Sequence, residues 1–569
     1  MTRLGIGGAG RRRQQIPVLA LLLALLVLGL AGSASAGTCQ GSVFVDVNAN
    51  QLWDTGEAGL SGIAVSNGET IVRTDDAGGF ALPVDESTRF VFITIPTGYQ
   101  TSGAWYRPVL GSDACTDANF GLKATPPGDG VLTFVQASDI HFAASPEEFS
   151  EAFYDRAMAV QPQGVLEAMV SEVNSFAPDF VILTGDQVAD SKNPELTLVE
   201  SWTSYIADQL IPAFDAPVRA VVGNHEIVRD PDIDRGVFER AFGPTYYAFD
   251  CEGVHCIILD PHTLMETSLS YVISERQLAW LRADLASADG QQPILVFCHE
   301  PSSNWAKTDI MAQVKMLLAD FGVTALVTGH WHLNYELQTE PFLEITSGAV
   351  SGSWWEGPAP DGRSFGYRVY RVRRGIIDSI WRTIGEKTID LASPQAAVLS
   401  WNDRLLARVW GTASSAELSW DENPSVETVP VPCGPWSAVS TELNVSTLSN
   451  GYHTLHVRFT MEDGTQWSAE QDYYIWNPEI SLAEILDHPG VFQGRLVAAP
   501  SLTIRAVLGD DASANDGTKT IIVGNIPFPV ARNDRIALMG LFRPTSTDPI
   551  KAYADSFLIR LDEEPDDES

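Results

Sequence analysis

The run Val218 to Val222, apolar except for Arg219, ends in Gly223-Asn224-His225-Glu226, so a short strand hands over at once to an amide, an imidazole and a carboxylate. The same grammar recurs along the chain. Leu132 to Ala137 runs into Ser138-Asp139-Ile140-His141, and Phe180 to Thr184 into Gly185-Asp186. Ile294 to Cys298 runs into His299, and Val323 to Thr328 into Gly329-His330-Trp331-His332. Any one of these tails could be an ordinary turn or a core histidine. Together they bring Asp139, His141, Asp186, Asn224, His299, His330 and His332 to the carboxyl ends of hydrophobic strands, where α/β sheets place their ligands. Mixed imidazole nitrogen and carboxylate or amide oxygen on rigid elements is the donor set of a metal site. It suits Mn, Zn or Fe rather than Ca or a thiolate-preferring metal.

The intervening segments supply the elements that hold these tails. Val165, Leu166, Met169, Val170, Val173 and Phe176 share one helical face, and Pro178 closes that helix. Ser274 to Leu285 and Ile310 to Phe321 read as further helices. Strand-helix alternation over 131–385 predicts an α/β core. Residues 37–124 show strand alternation in Val43-Phe44-Val45 and Phe90-Val91-Phe92-Ile93, with turns such as Asp76-Ala77-Gly78-Gly79, and read as a β-sandwich. Thr125 to Gly130 is a linker. After the core, 386–478 reads as a β-sandwich and 479–561 as a small OB-like β-domain, and 562–569 is an acidic tail. The fold class is therefore multidomain α/β plus β.

The chain holds 36 Lys and Arg against 73 Asp and Glu, for a formal net charge of −37, which argues against stable nucleic-acid binding. Arg11-Arg12-Arg13, the apolar run Ile16 to Ala31 and Ala34-Ser35-Ala36 read as a signal peptide spanning 1–36. The expectation is a secreted, periplasmic or cell-surface protein with no integral membrane segment after cleavage. Six cysteines in an exported chain suggest disulfides. Cys39 and Cys115 bracket the first domain and could staple it. Cys251 and Cys256 flank a hairpin turn and could pair across its strands. Cys298 and Cys433 are left over, and Cys298 could be a buried thiol.

Within the first domain, Asp46, Asn48, Asn50, Asp54 and Glu57 fall at the oxygen-donor positions of a calcium loop, with Gln51 where such a loop wants Gly. The stretch resembles the calcium-binding B-type repeats of bacterial surface proteins. Bound calcium and a merely polar turn are both open here.

The ordered set Asp139-x-His141, Gly185-Asp186, Gly223-Asn224-His225-Glu226, His299 and Gly329-His330-x-His332 resembles the calcineurin-like metallophosphoesterase superfamily across 131–385. The flanking β-domains resemble those of its exported bacterial members. The resemblance implies a core of two β-sheets flanked by α-helices, and two divalent metal ions. Asp139, His141 and His332 would ligate the first, Asn224, His299 and His330 the second, and Asp186 would bridge them. A metal-bridging hydroxide would attack phosphorus in line, and His225 would assist the leaving group. Ala189 stands where purple acid phosphatases carry a tyrosine, so an iron-tyrosinate site is not expected. The implied substrate is a phosphomonoester or phosphodiester, as a small molecule or a glycan or nucleotide derivative. Nucleotidase or cyclic-nucleotide phosphodiesterase activity, and a surface-binding or adhesion protein without turnover, stay open as alternatives. Trp354 and Trp355, past the last ligand motif, could stack on a sugar or base or could pack between domains. Asp260 could support the site or cap a turn.

Overall fold

The computed structural model describes residues 37–109, 115–143, 162–189, 196–229, 233–265, 268–288, 290, 292–339, 342–359, 361–394, 398–399, 404–443, 445, 448, 451–475, 486, 496–508, 511–517, 519–523, 531–533, 535–544 and 552–560. The signal-peptide and acidic-tail readings fall outside them.

Two sheets form the core. The first joins β1 (Val131–Ala137), β2 (Phe180–Thr184) and β3 (Val218–Val221) in parallel, and β1 then pairs antiparallel with a strand supplied after the last ligand motif. The second contains β4 (Tyr247–Cys251), β5 (Val254–Ile258), β6 (Ile294–Phe297), β7 (Ala325–Thr328), β8 (Tyr335–Thr339) and β9 (Phe342–Thr346), in the order β4-β5-β6-β7-β9-β8. β5, β6, β7 and β9 run parallel, with antiparallel β4 and β8 at the edges. The first sheet is completed by β10 (Gly366–Arg373) and β11 (Ile376–Thr383) in the order β3-β2-β1-β10-β11.

Side-chain alternation explains the layering. Leu132, Phe134, Phe180 and Ile182 point between the sheets, where Phe134 meets Phe297 edge-on at 5.5 Å and stacks on Phe180 at 5.0 Å. Val135, Ala137, Val181 and Leu183 point the other way, onto Leu166, Met169 and Val173 of α1 (Val165–Phe176). The apolar helix face read from the sequence is therefore the buried one, and Ala177, in left-handed backbone, ends the helix just before Pro178. The helix predicted from Ser274 is α2 (Glu275–Ser287), capped by the Ser274 hydroxyl accepting from the Gln277 amide. The next is α3 (Asp309–Asp320), capped in the same way by Thr308.

The N-terminal segment folds into two four-stranded sheets closed around Val43, Val65, Leu82, Ile93 and Phe120. They cover the edge of the second core sheet: the Asp250 amide donates to the Ile95 carbonyl at 2.8 Å, and Trp105 packs on Tyr247. Cys39 and Cys115 are joined as a disulfide. Cys251 and Cys256 are not. The two-residue turn sets Cys251 opposite Val254 and Cys256 opposite Phe249, so neither faces the other across the hairpin, and both are free thiols. Cys298 is a buried free thiol.

Beyond the core, a four-stranded sheet containing Ile389–Ser393 and Arg404–Trp410 faces a five-stranded sheet around Leu405, Val409, Val457 and Phe459. A further antiparallel sheet of five strands, from Leu496–Leu508 to Ala552–Arg560, follows it. The join to the core is apolar at Trp436 and Trp410, which pack into the cluster around Met169 and Phe176, and ionic elsewhere. Arg363 donates to Asp390 Oδ1 at 3.0 Å, Arg408 lies 3.3 Å from Glu336 Oε1, and Arg368 donates to Glu336 at 2.7 Å and to Asn334 Oδ1 at 2.9 Å. Among the described residues, no helix is long and apolar enough to cross a membrane.

Candidate metal centre

The five polar tails converge beyond the carboxyl ends of β1, β2, β3, β6 and β7. Three overlapping groups of side chains come close enough to hold a cation: Asp139 with His141 and His332, His141 with Asp186 and His225, and Asp186 with His299 and His330. His299 Nε2 lies 3.0 Å from Asp186 Oδ2, and His332 Nε2 lies 3.4 Å from Asp139 Oδ1. His141 Nε2 stands 3.9 Å from both Asp139 Oδ1 and Asp186 Oδ2. Asp186 thus lies between the two halves of the cluster. Asn224 is buried in the same β3 tail.

The backbone is bent to make this possible. Asp139, His141, Asp186, His330 and His332 all have positive φ, between 48° and 71°. For side chains with a Cβ this costs about 1–3 kcal/mol each, and it persists only where the surroundings over-determine it. Here they do. The His141 amide donates to the Asp186 carbonyl at 2.9 Å, the His330 amide to Asp139 Oδ2 at 3.0 Å, and the Ser351 hydroxyl to the Asp139 carbonyl at 2.8 Å. The glycines of the tails permit close approach. A Cβ at Gly223 would lie 2.3 Å from Asp186 Oδ1, and one at Gly329 would lie 1.9 Å from Ser138 Oγ and 2.6 Å from Asp139 Oδ2.

Remote hydrogen bonds set the imidazoles. His299 Nδ1 lies 2.7 Å from the Thr184 carbonyl, His332 Nδ1 2.8 Å from the Gly352 carbonyl and His225 Nδ1 2.5 Å from the Ala189 carbonyl. A carbonyl only accepts, so each Nδ1 carries the proton and each Nε2 turns toward the cluster. His332 Nε2 and His141 Nε2 face each other at 3.0 Å, an arrangement that needs a proton or a cation between the nitrogens. Burial, then the neighbouring His225, hold His141 well below the usual imidazole range. Burial and His299 hold His330 down at about 4, so both are neutral donors at pH 7. Burial alone would raise Asp139, but His332 overcomes it and keeps the carboxyl at about 2. The donor chemistry fits divalent transition metals.

Glu226 is the support that sequence reasoning passed over. Its Oε2 accepts from the Gly223 amide at 2.7 Å and the Asp186 amide at 3.0 Å, and its Oε1 from the Val188 amide at 3.1 Å. It ties the β2 tail to the β3 tail; burial and the charge of Asp186 raise its pKa, and the Val188 and Gly223 amides oppose that rise. Its place in the same Gly-Asn-His-Glu tail was the available signal. Asp260, left between two roles, is a buried ion-pair partner of Arg235 and His262.

The adjacent tryptophans part company. Trp354 lies against His141 with ring centroids 3.8 Å apart, and its ring is also 5.1 Å from His225 and 5.2 Å from His332. Trp355 is 4% exposed, donates Nε1 to the His141 carbonyl and packs on Phe365. Of the two readings, stacking on a substrate or packing, its burial fits packing. In the N-terminal loop, Asp46, Asn48, Asn50, Asp54 and Glu57 come together and are joined by hydrogen bonds. Asn48 and Asn50 turn their amide nitrogens onto Asp54 Oδ2 at 2.9 and 2.8 Å, Glu57 takes the Val47 and Asp54 amides, and Asp46 takes the Ser102 hydroxyl and the Gln51 amide.

A two-sheet sandwich with helices on its outer face, and His and Asp side chains gathered at its strand ends, is the metallophosphoesterase fold. Residues 132–334 match the calcineurin-like phosphoesterase family and residues 47–125 the N-terminal domain of calcineurin-like phosphoesterases, and that part of the chain belongs to the family. It is 28% identical over 192 residues to purple acid phosphatase 22 of Arabidopsis thaliana, covering 29% of this chain and 40% of the relative. It is 28% identical over 216 residues to a probable cyclic nucleotide phosphodiesterase of Rhodococcus erythropolis, covering 35% of this chain and 64% of the relative. The match therefore spans less than two thirds of either relative. A dimetal phosphatase from Danio rerio superposes with a TM-score of 0.33 at 18% identity, covering 45% of this chain and 99% of that one.

Proposed function

We propose that the chain is a metal-dependent hydrolase of phosphate monoesters or diesters. Asp139, His141 and His332 would hold one divalent ion, Asn224, His299 and His330 a second, and Asp186 would reach both. The observation that carries the reading is the inward-facing set of Nε2 atoms around Asp139 and Asp186, fixed by carbonyls behind His299 and His332. Bound metals polarise the phosphoryl group and activate water.

The protein's own residues orient and protonate. Asp186 cannot rotate freely, since Oδ1 accepts the His225 amide at 2.8 Å while Oδ2 faces His299. His225, held at Nδ1 by Ala189, presents Nε2 to the cluster 3.9 Å from Asp186 Oδ2. Protonated there, it can give its proton to the departing oxygen without moving its ring. Trp354 lies over His141 on the same side.

The test is hydrolysis of p-nitrophenyl phosphate and bis-p-nitrophenyl phosphate with Mn, Zn or chelator, beside Asp186→Ala and His225→Ala. Metal-dependent turnover, abolished by Asp186→Ala and reduced about 10²–10⁴-fold by His225→Ala, is expected. Failure of the wild-type chain to bind any metal would refute the reading, and turnover excludes a binding protein without catalysis. A cyclic-nucleotide substrate is a second reading, favoured by the Rhodococcus relative and by the Trp354 ring, on which a base could stack. A panel of cyclic nucleotides beside the nitrophenyl esters decides it.

A further inference from the structure

A hairpin stands at the ligand end of the core and belongs to neither of its sheets. It follows β5, joins His262–Met265 to Ser268–Tyr271, and among the described residues its two strands pair only with each other. Its base is pinned. The Ala306 amide donates to the Tyr271 carbonyl at 3.0 Å and the Thr263 hydroxyl to the Val272 carbonyl at 2.8 Å. The His262 ring is held between Asp260 at 2.9 Å and Glu300 at 2.7 Å. Tyr271 lies opposite His262 in the hairpin register, and its ring stands edge-on to two imidazoles, 5.9 Å from His262 and 5.8 Å from His330. One aromatic ring is thereby brought to the half of the cluster formed by Asp186, His299 and His330.

Trp354 occupies the other half, its ring over His141 and within reach of His225 and His332. Its φ is 55°, a conformation that a side chain with a Cβ keeps only where the surroundings impose it. The Trp355 and Glu356 amides do so, donating to the Ser351 and Ser353 carbonyls across it. Trp331, between His330 and His332 in the chain, packs on Tyr335 instead. Neither Tyr271 nor Trp354 is fully buried. Part-open aromatic surface beside a reacting centre is surface on which a ligand can lie.

The two rings are not equivalent. His225 stands beside His141, ring centroids 4.8 Å apart, so an alcohol that takes its proton from His225 leaves on the Trp354 side. Tyr271 then borders whatever else the phosphorus carries. In a monoester that is only oxygen. In a diester it is a second ester group. We propose that the site is built for phosphodiesters, with Tyr271 as the specificity residue against the group that stays on phosphorus, and that this group carries a flat ring. The assignment rests on the phosphoesterase reading above. Water adds its oxygen to phosphorus, the P–O bond on the Trp354 side breaks, and the alcohol leaves with the His225 proton. A proton from the water makes good that loss, and the product is a monoester of the retained group.

The test uses three esters that share a p-nitrophenolate leaving group and differ in what stays on phosphorus: p-nitrophenyl phosphate, methyl p-nitrophenyl phosphate and bis-p-nitrophenyl phosphate. Each is compared between enzymes, so its intrinsic reactivity cancels. Tyr271→Ala should lower kcat/KM for the bis ester about 5–50-fold, chiefly through KM, and leave the other two within about twofold. Tyr271→Phe, which keeps the ring, should restore the bis ester. Tyr271→Leu fills the space without a flat face and carries the test if the alanine variant does not fold. Trp354→Ala should lower all three together, since all three share the departing group. Loss of all three by one factor in Tyr271→Ala or Tyr271→Leu, no loss in any, or a wild type that turns over the monoester alone overturns the proposal and leaves the phosphoesterase reading standing. A wild type without metal-dependent turnover of any of the three overturns both.

Discussion

Replacing Glu226 by Ala tests whether one buried carboxylate holds two ligand tails together. Glu226 accepts three buried backbone N–H groups, from Gly223, Asp186 and Val188, at 2.7, 3.0 and 3.1 Å. An unsatisfied buried donor costs about 1–3 kcal/mol. Three of them, partly rescued by water in the space the side chain leaves, give about 3–5 kcal/mol for Glu226→Ala. Glutamine keeps one oxygen and sets an NH₂ against the remaining amide, so Glu226→Gln should cost about one donor, roughly 1–3 kcal/mol. The loss is local, which makes amide hydrogen exchange read by mass spectrometry the suitable assay. Peptides spanning 180–189 and 218–227 should exchange at least about two orders of magnitude faster in Glu226→Ala, since each factor of ten is about 1.4 kcal/mol. Exchange within about tenfold of wild type in both peptides would refute the reasoning, because the three hydrogen bonds would then carry no net stability.

Four other outcomes are expected. Gly329→Ala would drive a methyl into Ser138 Oγ and Asp139 Oδ2, and kcat/KM on the better nitrophenyl ester should fall at least about 10²-fold, with the far-ultraviolet spectrum unchanged. Burial alone would lower His255, but Asp250 at 2.7 Å and Asp284 at 2.8 Å push it up to about 10. Because its folded value lies above the unfolded 6.5, the stability it brings is complete below about pH 6.5 and is lost as pH rises through 10. Melting temperature should therefore fall across that window, and His255→Gln should flatten the decline; a profile identical in the variant would contradict this. Cys39→Ser with Cys115→Ser opens a loop of 76 residues and should destabilise the N-terminal sheets by about 4 kcal/mol, read by limited proteolysis of that segment. Trp354→Ala should raise KM more than it lowers kcat, and an unchanged KM would mean that the ring does not touch substrate.

The ligand tails were legible because their signal is local: an apolar run, then a small residue, then Asp, Asn or His within three positions. What could not be read locally was pairing at a distance. Glu226 serves Val188, 38 residues away, and His262 serves Glu300, also 38 residues away. In sequence each looks like one more polar residue. The hairpin cysteines show the same limit at short range, since their pairing depended on register, and the turn placed Phe249, not Cys251, opposite Cys256. Trp354 and Trp355 are indistinguishable as neighbours in a string. Left-handed backbone at both turns one ring over the imidazoles and the other into the core, and only the fold decides which. In the N-terminal loop the donor spacing read from the sequence does bring the oxygen-bearing side chains together.

The ionic join at the far end of the core bears on how such a chain can be divided. Arg363 and Glu336 lie before residue 385, while Asp390 and Arg408 lie after it, and Arg408 is 5% exposed. Asn334, two residues past His332, is bonded to Arg368 in the same network. A recombination event or a protease cut between core and following sheets would strand unpaired charge within reach of the last ligand motif. The phosphoesterase segment and the sheets behind it are thus one unit of inheritance: a donor core grafted onto foreign sheets must bring Asp390 and Arg408 with it, or find substitutes for both.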